Sequence, residues 1–149
     1  MKKVKVAILT MLLTVMCSGV SFAGGIGYID YERVLESFPY AINARKSLDS
    51  KAMAIKQYMF DKEKEYENIQ SPVQKQNFQD KVAAELKAKQ TDFMREQARV
   101  EQETYNKVRG VANSIMVEQK LDAIISDKAV FCGGVDVTKT LIDRLKTVK

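Results

Sequence analysis

Histidine and tryptophan are absent from the 149 residues. Without histidine, the chain lacks the commonest general base and the commonest metal ligand at neutral pH. Glycine is scarce at 7 and proline at 2. No glycine-rich phosphate loop precedes a helix, since Gly24-Gly25-Ile26-Gly27 leads into a strand instead. The carboxylates lie at helix-surface spacing with no apolar pocket beside them. These absences argue against an enzyme, and they imply neither a metal nor a cofactor.

Cysteine is also scarce, with only Cys17 and Cys132. Cys17 falls in a leader. Residues 1–5 hold three lysines, residues 6–16 are an unbroken apolar or threonine run, and Ser21-Phe22-Ala23 puts small residues where a signal peptidase inspects them. That pattern predicts a cleaved signal peptide over residues 1–23, too short in its core to span a bilayer. A lipid-anchored form is the alternative, but Met16 stands before Cys17 where a small residue belongs. After cleavage Cys132 is a lone thiol and makes no internal disulfide. The expectation for it is a small core residue on a strand, with an intermolecular disulfide as the alternative.

Net charge is modest once the leader is gone. The full chain has 24 Lys+Arg against 19 Asp+Glu, and removing the three leader lysines leaves 21 positive charges. A nucleic-acid binder would need a denser basic face. Contact with membrane lipid or lipopolysaccharide stays open.

What the chain does have is helical repeat. Residues 41–120 predict two long helices broken at Ser71-Pro72. The first carries a seam at Arg45, Leu48, Ala52, Ile55, Met59, Lys62, Tyr66 and Ile69, in the three-four steps that keep one face against a partner helix. The second carries Val82, Leu86, Gln90, Phe93, Gln97, Val100, Thr104, Val108, Val111 and Ile115, with extra four-residue steps that suit a straighter or right-handed pair. Pro72 lacks an amide hydrogen and disfavours helix at Ser71. The chain is therefore expected to reverse near residues 70–73 as an antiparallel hairpin, with a single kinked helix as the alternative. An arm of about 30 residues would be about 45 Å long, and it would project from a body.

The outer faces of the arm are charged, with 15 positive and 12 negative residues between 41 and 120. The base of the first helix is positive at Arg45, Lys46, Lys51 and Lys56. Residues 61–67 nearer the tip are net acidic. Such charges mainly solvate the helices.

The two ends form the body, residues 24–40 and 121–149. Ile26, Tyr28 and Ile29 predict a strand, and Asp30 caps a short helix with Val34, Leu35 and Phe38 on its apolar face. Residues 121–126 predict a second strand and residues 129–132 a third, closed by Gly133-Gly134. A helix is expected from about Asp136, capped by Asp136 or Thr138, with Leu141, Leu145 and Val148 as its stripe. Three strands and two short helices cannot bury enough apolar surface to carry two long arms, and the strand edges need covering. The sequence thus predicts an oligomer whose copies pool their strands, with Ile26, Tyr28, Ile124, Ile125 and Val130 in the shared body.

Both ends also resemble a known family. Ile26-Gly27-Tyr28-Ile29-Asp30 with Val34-Leu35-Glu36-Ser37, then Leu121-Asp122-Ala123-Ile124-Ile125, Ala129-Val130, Val135-Asp136-Val137-Thr138 and Leu141, are similar to the opening and closing blocks of the OmpH-like family. The likeness runs through the whole mature chain in order. It implies a mainly α fold with a small β body, a homotrimer whose strands form one barrel, and helical hairpins hanging around a cavity. It also implies a periplasmic chaperone of Gram-negative bacteria that holds unfolded outer-membrane proteins without ATP. The family has no catalytic motif to transfer. On the residues themselves, side chains off the arm seam suit such a role: Tyr58, Phe60, Phe78 and Met94, methionine being adaptable toward varied partners; packing inside the arms is the equal alternative for each. A structural spacer or adaptor of the envelope with no client is the rival expectation.

Overall fold

The computed structural model describes residues 24–148. The expected leader, Cys17 included, lies outside those residues. β1 (Gly25–Ile29) is the middle strand of a three-stranded sheet in the order β2-β1-β3. β2 (Leu121–Ser126) and β3 (Val135–Asp136) both run parallel to it. Gly27 lets β2 come close. A Cβ there would lie 2.8 Å from Leu121 Cδ1 and 3.2 Å from Ile124 Cγ1.

Asp30 caps α1 (Tyr31–Ser37) as expected, its Oδ1 accepting from the Arg33 amide at 2.9 Å. α2 (Pro39–Glu67) begins at the proline itself, where the missing amide hydrogen costs nothing. The chain turns over residues 68–71, and Pro72 opens α3 (Pro72–Glu118) in the same way. α3 leaves the helical region at Lys120, whose φ of 54° turns the chain into β2. α4 (Thr138–Leu145) closes the fold.

The core lies where these ends converge. Ile29, Val34 and Phe38 meet Val108 and Ile115 of α3 and Val137, Leu141, Ile142 and Leu145 at α4. Burying each such side chain is worth about 1.5–3 kcal/mol. Val148 packs at the margin of this cluster. The end of α3, from Val108 onward, thus packs into the same core as the two chain ends.

Three expectations need correction. Residues 129–132 form no strand: residues 127–129 make a 3-10 turn and residues 130–134 are irregular, so the third strand is Val135–Asp136. A strand needs a ladder partner, and the described sheet offers one only to the later pair, reached through Gly133 and Gly134 at φ 79° and 90°. Cys132 therefore sits exposed in a loop, outside any core strand. The last helix starts at Thr138, two residues later than expected. Asp136 still serves it, accepting from the Thr138 amide at 2.9 Å, while the Thr138 hydroxyl accepts from the Asp30 amide at 3.0 Å.

Candidate functional site

α2 and α3 pack antiparallel along the arm. Their cross-links run from body to tip in order: Tyr40 to Glu103, Lys51 to Glu96, Tyr58 to Glu85, and the rings of Tyr66 and Phe78. Pro72 therefore marks a reversal of the chain. The seam is rotated slightly from the one expected. Arg45, Met59, Gln90 and Gln97 are exposed, and Tyr58, Glu85, Glu96 and Glu103 take inward places. The steps 93, 96, 100 and 103 on α3 follow the heptad rhythm, while the expected four-residue steps through Val100, Thr104 and Val108 hold toward the body, where Thr104 and Val108 are buried. A tyrosine hydroxyl brought to a carboxylate satisfies both groups, which an exposed methionine could not do.

One side of the arm is clasped by polar groups. Arg99 joins Glu96 and Glu103, each at 2.8 Å, and Lys51 reaches Glu96 at 3.5 Å. Arg99 first, with Lys51 adding to it, holds the Glu96 carboxyl down at about 2. Glu103 is lowered by the Tyr40 hydroxyl and by Arg99. The hydrogen bond to Glu85 pushes Tyr58 up to about 12. Lys89 places its ammonium 4.8 Å from the centroid of the Tyr58 ring.

The other side is open and apolar. A groove of about 720 Å³ lies at the root of the arm, its lining including Leu35, Ile42, Leu48, Val100 and Tyr105. Lys46 and Glu101 also line it. Seven residues along from Lys46 is Met53, and seven further is Phe60; seven back from Glu101 is Met94. Heptad steps keep all of these on the groove's side. Met53 is 70% exposed, Met94 68% and Phe60 51%. Lys64 sits 4.1 Å over the Phe60 ring. This side presents exposed apolar side chains, with cations at its margin.

The four arm residues expected off the seam divide into two pairs. Phe60 and Met94 stand on the open side. Tyr58 and Phe78 are on the seam itself, because the Glu85 bond and the Tyr66 ring draw them inward. Sequence reasoning missed Met53 and the groove. The seven-residue step from Met53 to Phe60 was visible, but not which side of the hairpin it would face. In the body, Ile124 packs against the chain's own core. Ile26 is half-exposed, and Tyr28, Ile125 and Val130 are partly buried. Among the described residues no cluster of metal-ligating side chains occurs, and no helix is long and apolar enough to cross a membrane.

Comparison with known proteins adds a family. The search of curated proteins returned no match. Solved structures that match include one of a proposed outer membrane chaperone (OmpH-like) from Caulobacter crescentus CB15, 15% identical, covering 83% of this chain and 84% of that one at a TM-score of 0.41. The family described as outer membrane protein (OmpH-like) matches residues 25–145, nearly the whole described chain. On that match, the chain belongs to the OmpH-like family.

Proposed function

We propose that this protein is an ATP-independent holdase chaperone of the periplasm. It binds unfolded outer-membrane proteins between helical arms and keeps them from aggregating. It acts as a homotrimer, its three small sheets pooled into one barrel and its three arms enclosing a cavity. The observation that carries this reading is the two-sided arm: a clasped polar side, and an open side bearing Met53, Phe60, Met94 and the basal groove.

An unfolded chain exposes scattered apolar side chains, and each finds only a weak contact on one arm. Three arms make later contacts intramolecular, so weak sites sum to a firm hold. Binding the unfolded chain alone draws it away from aggregation by mass action. Methionines at two of the contact points tolerate varied client sequences.

The test is dilution of a urea-unfolded outer-membrane β-barrel protein into buffer with and without this protein, followed by light scattering. Near-stoichiometric suppression is expected without nucleotide. Unchanged scattering would leave only a structural spacer.

A further inference from the structure

Phe131 is 102% exposed, so its ring has essentially no contact with its own chain. On the body there is also an unfilled apolar hollow of about 410 Å³. Val108, Ala112 and Met116 of α3 wall it on one side, and Ile124 and Ile125 of β2 on the other. We propose that Phe131 of one copy seats in this hollow of the next copy. The contact rests on the proposed oligomer and names the residues that lock it.

Topology puts the hollow beside one edge strand and Phe131 in the segment that leads to the other. β2 is one edge strand and β3 the other, with β1 between them. The hollow flanks β2. Phe131 lies in the segment of residues 130–134 that feeds β3. Both edges carry unpaired backbone donors and acceptors, a standing template for another strand. When the β3-side edge of one copy pairs with β2 of the next, Phe131 is carried to the hollow. The segment of residues 130–134 then gains the ladder partner that it lacks in a single chain. Val135, 47% exposed, and Ile26, 50% exposed, are apolar neighbours covered along the same junction.

Such a contact is head-to-tail: the knob is on one surface and the hole on another. Head-to-tail contacts generate closed rings when the rotation between copies closes. Every copy then has its knob buried and its hole filled, and no β edge stays open. A second copy is favoured over a small ligand because knob, hole and both open edges belong to the same chain and complement one another.

The experiment is sedimentation equilibrium of the mature protein at micromolar concentration, with circular dichroism to check helix content. The wild type is expected at the mass of three chains. Phe131→Asp is expected at one chain with unchanged helix content, since the side chain supports nothing in its own copy. Phe131→Leu, which keeps an apolar side chain in the hollow, is expected to stay at the mass of three chains. Blocking the hole with Ala112→Trp also gives single chains. Loss of the buried apolar side chain in Phe131→Asp weakens association by about a hundredfold per interface. A three-chain Phe131→Asp protein overturns the seating of Phe131 while leaving the trimer standing. A single-chain wild type removes the ring, and this contact with it.

Discussion

The hydroxyl of Tyr58 donates to Glu85 Oε2 at 2.5 Å, joining the two arm helices partway between the body and the tip. A coiled-coil seam would ordinarily place an aliphatic knob at such a level. Here the rungs are hydrogen bonds and ion pairs on one side, leaving the other side of the hairpin free of them. The arm therefore holds its register through directional contacts and keeps apolar surface available elsewhere.

That rung should titrate at high pH. A raised phenol pKa favours the closed arm below the ordinary value of 10, and the contribution is lost as pH rises through 10 toward about 12. Tyr58 is expected to ionise late, well above the ordinary tyrosine value. Absorbance titration of tyrosinate checks this, with Tyr58→Phe reducing the late component by one tyrosine. A tyrosinate titration at high pH that is unchanged in Tyr58→Phe would refute the assignment, since Tyr40 and Tyr31 are raised as well.

At low pH the opposite sign applies. Glu85, Glu96 and Glu103 have lowered values, Glu96 to about 2. Their contribution is full above the ordinary value of 4.5 and fades as pH falls toward 2. The clasp should loosen over that interval while the apolar body holds. Hydrogen exchange read at α2 and α4 separates the two, and equal acceleration in both would contradict the expectation.

The open side should be sensitive to charge. Met53→Asp with Phe60→Asp and Met94→Asp is expected to weaken suppression of client aggregation at least tenfold in the amount required. Ala54→Asp, beside Lys51 and Lys89 on the clasped side, should leave it near wild type. Dose–response curves of light scattering make the comparison. Equal loss from both variants would remove the distinction between the sides.

Stability should depend on the body instead. Leu141 is fully buried, and Leu141→Ala is expected to cost about 2–5 kcal/mol. Met53→Ala, at an exposed site, should stay within about 0.5 kcal/mol of the wild type. Urea unfolding followed by circular dichroism measures both.

Much of this architecture is local and so was written in the chain order. The three-four apolar repeat dictates long amphipathic helices, Pro72 dictates where they part, and Asp30 dictates the start of α1, all through contacts a few residues long. The tertiary structure decided the rest. Whether Tyr58 or Met59 turns inward depends on Glu85, which is 27 positions away along the chain. Which residues become the third strand depends on β1 offering a ladder to Val135 and Asp136 and none to residues 130–134. Only packing of α3 against α2 settles which side of the arm stays open, because a heptad marks a stripe on one helix and says nothing of the partner that will cover it.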